Sequence, residues 1–132
     1  MFITTNVKNK VPLFKNDAYA RIAVETLYNI QHFYAFFLFG FVIMPDHCHL
    51  LLRVPEGGSI SKTMNVYKRA VTFNVGGERF WQTRFHMRIP NDTFAALNYI
   101  HMNPVKAGFC ENPEDYPWSS ASGKWDVTPL SF

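Results

Sequence analysis

The stretch AFFLFGFVIMPDHCHLLLRV (residues 35–54) decides the fold of this chain. The run from Ala35 to Met44 is dense in aromatic and β-branched side chains and predicts a central β-strand. Pro45 and Asp46 are typical of a tight turn. The run from His47 to Val54 then returns as a second strand, so the stretch predicts an antiparallel hairpin.

The segments around this hairpin alternate between extended and helical patterns. Before the hairpin we expect a strand at 2–7 and a helix from Asn16 or Asp17 to about 31. After it we expect a helix capped by Ser59 or Ser61 and a strand at 80–89 with Trp81, Met87 and Ile89 on one side. The last element is a helix capped by Asn91, which Pro104 ends or kinks. Helices alternating with antiparallel hairpins indicate an α+β fold, a ferredoxin-like two-layer sandwich with helices packed on an antiparallel sheet.

The bulk composition suits one packed domain spanning residues 1–132, since 48% of the residues are hydrophobic. The net charge is only +3. Its positive excess lies mostly between residues 53 and 106, where Lys and Arg outnumber Asp and Glu. Such a stretch is typical of a phosphate-binding surface and equally of a solvated one, so charge alone does not decide between them.

The expected location is the cytoplasm. Cys48 and Cys110 are the only cysteines and form no disulfide framework. No signal peptide is visible at the start, where Met1 leads into a polar segment. The longest apolar run, residues 33–44, is interrupted by Gly40 and is too short to span a bilayer. We therefore expect a soluble protein with no membrane partner.

Two histidines begin the second strand of the hairpin. Because side chains two apart on a strand point the same way, His47 and His49 should share one face, with Cys48 on the other. Two imidazoles at this spacing can bind one metal ion. An isolated His-x-His pair also occurs in hairpins that bind no metal, so the pair by itself leaves both interpretations open.

Tyr99 and Asn103 lie four residues apart in the last predicted helix and so share a helical face. A phenol becomes a nucleophile when a nearby cation favours the phenolate. The side-chain oxygen of Asn103 suits Mg²⁺ or Mn²⁺. A core tyrosine beside a helix-capping asparagine would give the same spacing, so this pair alone does not decide either.

Four segments together carry a resemblance to a known family. They are MPDHCHLL (residues 44–51), FWQTRF (80–85), YIHMNPVKAG (99–108) and PEDYPWSS (113–120). In this order they resemble the single-tyrosine HUH transposases, most closely the REP-associated tyrosine transposases, over nearly the whole chain.

The resemblance implies a ferredoxin-like fold in which His47, His49 and Asn103 hold Mg²⁺ or Mn²⁺ and Tyr99 is the nucleophile. It implies cleavage and rejoining of single-stranded DNA through a covalent 5′-phosphotyrosine, with hairpin-forming palindromic DNA as partner. Members of the family include monomers and dimers, so the resemblance leaves the oligomeric state undecided between a monomer and a homodimer. The candidates for phosphate contacts are the basic residues Arg53, Lys68, Arg84, Arg88 and Lys106.

Two alternatives use the same residues. A domesticated protein on this scaffold would recognise DNA or RNA hairpins without cutting, although such proteins usually carry a damaged site, and His47, His49 and Tyr99 are all present. A hydrolase using the histidines and an activated water would need an acidic third ligand. We expect Asp46 to point elsewhere, which disfavours the hydrolase. Cys48 stands where a bulky aliphatic residue is usual in the family.

Overall fold

The protein is built on a four-stranded antiparallel sheet with the strand order β2-β3-β1-β4. A computed structural model describes residues 1–131. The strands are β1 (Phe2–Asn6), β2 (Phe37–Met44), β3 (His47–Arg53) and β4 (His86–Arg88), and the helices are α1 (Asp17–Gln31), α2 (Ile60–Val75) and α3 (Thr93–Lys106). The chain order β1-α1-β2-β3-α2-β4 is the expected ferredoxin-like one, with α3 added after it.

The two faces of the sheet carry separate apolar clusters, because successive strand side chains point to opposite sides. On one face, strand residues such as Ile3, Cys48 and Leu50 pack against the helices α1 and α2. On the other face a smaller cluster joins the sheet to α3; it consists of Phe2, Val42, Met44, Leu51, Ala96 and Ile100. The helices therefore cover both sides, which adds a thin third layer to the expected two-layer sandwich.

The helix starts are set by side-chain caps. Asn16 accepts hydrogen bonds at the start of α1 and Ser59 at the start of α2, as the sequence indicates. The cap of α3 is Asp92 rather than Asn91. Of the two outcomes expected at Pro104, an end of the helix is wrong, since α3 continues through Pro104 to Lys106. Within residues 1–131, no helix combines the length and apolar character that crossing a membrane requires.

The expected strand at residues 80–89 is largely wrong. Only His86–Arg88 forms a strand, and Trp81 makes one isolated bridge to Val7. The reason is a contact with a distant part of the chain. The Lys68 ammonium donates hydrogen bonds to the backbone carbonyls of Gln82 and Thr83, so these carbonyls do not pair with a neighbouring strand. The predicted shared face fails too, since Trp81 is buried whereas Met87 and Ile89 are exposed.

The C-terminal segment covers the outer edge of β2. The backbone N–H of Ile43 donates to the Trp118 carbonyl at 2.8 Å. The Phe41 N–H donates to Ser120 Oγ at 3.0 Å, and the same oxygen lies 2.8 Å from His101 Nε2 on α3. Ser120 thus joins the sheet edge to the helix, and covering this edge leaves it closed to pairing with another chain.

A close approach brings α3 onto β2. The pairing of β2 with β3 shifts register between Leu38 and Gly40. A Cβ placed on Gly40 would lie 2.2 Å from the Leu97 side chain, so the missing side chain lets the helix sit close to the strand. This contact helps to set the height of α3 above the sheet.

Replacing Ser120 with alanine should lower the free energy of unfolding by about 2 kcal/mol, because the buried Phe41 N–H loses its acceptor. Urea unfolding followed by tryptophan fluorescence measures this. Ser61→Ala is the control, since Ser61 is exposed in the first turn of α2 and should change stability little. Equal stability of both variants would contradict the linking role of Ser120.

Candidate active site

Strand β3 directs His47 and His49 to the face that α3 covers. Their ring centroids are 4.8 Å apart. His49 is buried and His47 is half-buried. Cys48 is fully buried on the opposite face, where burial raises the pKa of its thiol, so it stays protonated and away from the histidines. The expected alternation of these three residues is confirmed.

Each imidazole is oriented through its Nδ1 atom. Thr4 Oγ1 lies 2.9 Å from His49 Nδ1, and Asp46 Oδ1 lies 2.5 Å from His47 Nδ1. Asp46 therefore bonds the Nδ1 atom of His47 and leaves the Nε2 side to the metal position. An ionised carboxylate only accepts, so His47 donates through Nδ1 and keeps a lone pair on Nε2. Such outer partners are what metal-binding histidines usually have.

Sequence reasoning missed both of these partners. Thr4 reaches His49 because the antiparallel register of β1 and β3 pairs the two residues. No local pattern in the first strand announces that pairing. Asp46 directly precedes His47, and this proximity was the only sign in the sequence that the two side chains could bond. Whether they do depends on the conformation of the turn.

His49 is held in its neutral form. Burial is the largest cause that lowers its pKa to about 4, and coulombic interactions with His47 and Lys10 are the smaller causes. At neutral pH the imidazole is therefore uncharged and can bind a metal ion.

Helix α3 places Tyr99 beside the histidines. The Tyr99 ring centroid is 5.6 Å from that of His49 and 5.9 Å from that of Phe2. The residue is 46% exposed, unlike the core aromatic residues. Within residues 1–131 its phenolic oxygen makes no hydrogen bond, so it is open to a substrate. Lys106 Nζ lies 5.8 Å from the ring centroid, two helical turns further along α3.

Two other tyrosines are unsuited to act as nucleophiles. The Tyr67 hydroxyl donates to the Ala23 carbonyl at 2.8 Å, and the Tyr116 hydroxyl donates to the Ile43 carbonyl at 2.7 Å. Burial raises the pKa of both phenols. Both rings belong to the packing of the molecule, so the exposed Tyr99 is the better candidate.

Asn103 follows Tyr99 by one turn of α3 and is half-buried. Its backbone carbonyl accepts from the Ala107 N–H at 3.0 Å. In the part of the chain that the structure describes, its side-chain amide has no hydrogen-bond partner, so the amide oxygen is available. Among residues 1–131 no three His, Cys, Asp or Glu side chains cluster as a metal site would require. A metal at the two histidines would therefore need neutral oxygen or substrate ligands.

Two of the candidate phosphate contacts lie near Tyr99. Lys106 is over its ring, as described above, and the Arg88 guanidinium lies 4.7 Å from the centroid of Phe2. Since Phe2 touches both Tyr99 and His49, both cations lie close to the site.

The remaining candidates lie elsewhere. Arg53 packs 4.9 Å from the centroid of Phe37, at the end of β3 away from His47. Arg84 is exposed in the segment that precedes β4. Lys68 is buried and donates to the backbone carbonyls described above. It therefore has a structural role that the sequence did not indicate.

A His-x-His pair on a ferredoxin-like sheet, faced by a tyrosine on a flanking helix, is the arrangement of the single-tyrosine HUH transposases. The profile of the IS200-like transposases matches residues 2–103. The chain belongs to this transposase family, as the motifs in its sequence indicate.

Individual relatives agree with this assignment. The REP-associated tyrosine transposase of Escherichia coli (strain K12) is 27% identical over 123 residues, covering 90% of this chain and 74% of that protein. A Haemophilus influenzae (strain ATCC 51907 / DSM 11121 / KW20 / Rd) protein given the same group name is 33% identical over 105 residues, covering 66% of this chain and 60% of its own length.

Solved structures show the same fold. A REP-associated tyrosine transposase bound to a REP hairpin superposes with a TM-score of 0.78 at 26% identity, covering 99% of this chain and 87% of that one. A transposase-like protein from Deinococcus radiodurans superposes with a TM-score of 0.59 at 18% identity, covering 77% of this chain and 87% of that one. The α+β fold expected from the sequence is confirmed.

The lowered pKa of His49 predicts a pH dependence of stability. The unfolded chain binds a proton at this residue near its usual pKa, whereas the folded protein does so only near 4, so stability should fall as the pH falls through this window. Between about pH 7 and about pH 5 the loss should be roughly 2 kcal/mol. Urea unfolding with a chelator present measures it, and His49→Gln should remove most of that slope. An unchanged slope in this variant would refute the assignment.

Proposed function

We propose that this chain cleaves and rejoins single-stranded DNA through a covalent bond between Tyr99 and a 5′-phosphate, with Mg²⁺ or Mn²⁺ bound at His47 and His49. The observation that carries the proposal is the position of Tyr99. Its phenol is exposed and unbonded within the described residues, and its ring lies 5.6 Å from that of His49.

The residues at the site fit a divalent metal. The two imidazoles keep their Nε2 atoms for a ligand while Thr4 and Asp46 hold their Nδ1 atoms. The Asn103 amide oxygen is a third donor on the same side of the sheet, of the hard type that Mg²⁺ and Mn²⁺ prefer. A bound metal would polarise the phosphoryl oxygens of the substrate and neutralise charge that develops there.

The covalent step follows from the nucleophile. Tyr99 Oη attacks the phosphorus, and the new O–P bond forms as the bond from phosphorus to the 3′-oxygen breaks. The phenol proton passes to solvent, and the departing 3′-oxygen takes up a proton to become a hydroxyl. A second 3′-hydroxyl can attack the phosphotyrosine and release Tyr99. Each bond broken is replaced by a similar ester bond, so no nucleotide cofactor is required.

Two cations assist this chemistry electrostatically. Lys106 lies over the Tyr99 ring and Arg88 lies over the neighbouring Phe2 ring. Positive charge near the phenol attracts the phosphate that it attacks and stabilises the charge that develops there. Arg88 can bind a phosphate through two parallel N–H donors, which also helps to orient it.

We propose a single strand carrying a folded hairpin as substrate. Attack on an internal phosphate requires an accessible strand, while recognition requires a distinct shape such as a hairpin. The similar solved structure of a REP-associated tyrosine transposase is bound to a REP hairpin, which supports this choice. Binding of a hairpin without cleavage is the alternative function, and formation of a covalent adduct separates the two.

Tyr99→Phe removes only the phenolic oxygen of an exposed ring, so the variant should fold and bind DNA as the wild type does. It should form no protein–DNA adduct and release no 3′-hydroxyl end. A labelled single strand from the flank of the gene, incubated with Mn²⁺ and separated by denaturing gel electrophoresis, measures both products.

Tyr116→Phe is the matched control. Its hydroxyl donates to a backbone carbonyl, so this variant should lose about 1 kcal/mol of stability and keep adduct formation. Adducts at the wild-type rate in Tyr99→Phe would refute the assignment of the nucleophile. Absence of adducts in the wild type, with hairpin binding intact, would favour the non-cutting alternative.

The metal assignment is tested through its ligands and their partners. His47→Ala and His49→Ala should each abolish cleavage, as should a chelator. Thr4→Val keeps the shape but frees the His49 ring, and should weaken Mn²⁺ binding roughly 10–100-fold in calorimetric titration. Thr128→Val, an exposed position, should bind Mn²⁺ normally. Full cleavage in the presence of chelator would disprove the metal site.

A further inference from the structure

A second basic site lies outside the cluster of His47, His49 and Tyr99. A cavity of about 290 Å³ opens between α2, the turn that follows β1 and the segment that precedes β4. Its lining includes four cationic side chains and no acidic one: Lys8, Lys68, Arg69 and Arg79. A concave surface with one sign of charge concentrates oppositely charged ligands. This cavity is therefore suited to an anion.

Lys68 supplies a buried positive charge to this cavity. The residue is 8% exposed and has no acidic partner among residues 1–131. Its Nζ donates to the Gln82 carbonyl at 2.8 Å and to the Thr83 carbonyl at 3.3 Å. Two of its three N–H donors are thereby used, which leaves one for a ligand. A buried cation without a counter-ion is unfavourable, so an anion in the cavity would stabilise it.

The other three cations are free to bind a ligand. Lys8, Arg69 and Arg79 are exposed, and in the described part of the chain none of them forms an ion pair or a side-chain hydrogen bond. Guanidinium groups match the geometry of phosphate oxygens through paired N–H donors. Three uncompensated charges beside the Lys68 ammonium favour a phosphate.

One side of the cavity is aromatic. Phe80 is half-buried, and its ring packs 4.8 Å from that of Trp81 and 5.8 Å from that of Phe14. The Trp81 indole is committed to the core, where its N–H donates to the Lys68 carbonyl. The partly exposed Phe80 ring is therefore the surface on which an unpaired base can stack.

The cavity is connected to the active site by the sheet. The Lys8 N–H donates to the Phe80 carbonyl at 2.7 Å, and the Gln82 N–H donates to the Asn6 carbonyl at 2.8 Å. Asn6 is the register partner of His47. The cavity thus begins about two residues beyond the histidine row, at the same end of the sheet but on the side of the face that α2 covers.

We propose that this cavity binds one nucleotide of the single strand that flanks the cleaved phosphate. The phosphate contacts Lys68, Arg69 and Arg79, and the base stacks on Phe80. The inference rests on the function proposed above and deepens it, because a second anchor would set the direction in which the strand leaves Tyr99.

The test compares two double variants that lose equal charge. Arg69→Gln/Arg79→Gln removes two cavity cations, whereas Lys15→Gln/Lys124→Gln removes two exposed cations outside it. Binding of fluorescent oligothymidylates between about 4 and 16 residues long is followed by anisotropy over a salt series.

The cavity variant should bind roughly tenfold more weakly than the control variant. The slope of its log affinity against log salt should fall by about 0.7 for each phosphate that the variant no longer neutralises. Thymidine monophosphate should compete only weakly, since a single nucleotide lacks the second anchor. Equal losses of affinity in both double variants would overturn the proposal.

Adduct formation at saturating DNA separates this inference from the proposed function. The cavity variant should still form the Tyr99 adduct, because the nucleophile and histidines are intact. If the wild type forms no adduct, the proposed function fails, yet the binding comparison still decides whether the cavity holds a nucleotide.

Discussion

The antiparallel pairing of β1 with β3 is the constraint on which the rest of the structure depends. It sets Thr4 opposite His49 and Asn6 opposite His47. The same register places Phe2 beside His49 and Tyr99, where its ring touches both. A slip of one residue would turn every side chain of β1 to the other face. The histidines would then lose the Thr4 hydroxyl, and the core beneath α1 and α2 would lose Ile3.

The unequal covering of the two sheet faces explains how one small domain combines rigidity with an open site. Beneath α1 and α2 the core is thick, and it includes Cys48, the residue between the two histidines in the sequence. On the other face α3 covers only part of the sheet through a small cluster. The histidines thus stand on a firmly packed strand, while Tyr99, at the margin of the thin layer, stays open to a substrate.

Burial also sorts residues of the same type into different roles. Tyr67 and Tyr116 are tied to backbone carbonyls, whereas the Tyr99 phenol is not. Among the basic residues, Lys68 is buried against two carbonyls, whereas Lys106 stands over the Tyr99 ring. Neither distinction depends on the residue type, since each follows from whether a neighbouring element encloses the side chain.

The sequence by itself determined whatever depends on local periodicity and on motif order. The alternation of a strand placed His47 and His49 together and Cys48 opposite them. Polar residues before apolar helical runs marked Asn16 and Ser59 among the candidate caps. The four motifs identified the family and, through it, Tyr99. Only the tertiary structure decided contacts between segments distant along the chain. Thr4 reaches His49 across 45 positions, and Lys68 takes two carbonyls from the expected fourth strand, which therefore shortens to three residues. Such contacts depend on register and packing, which are set by the whole fold and leave no periodic signal in either segment alone.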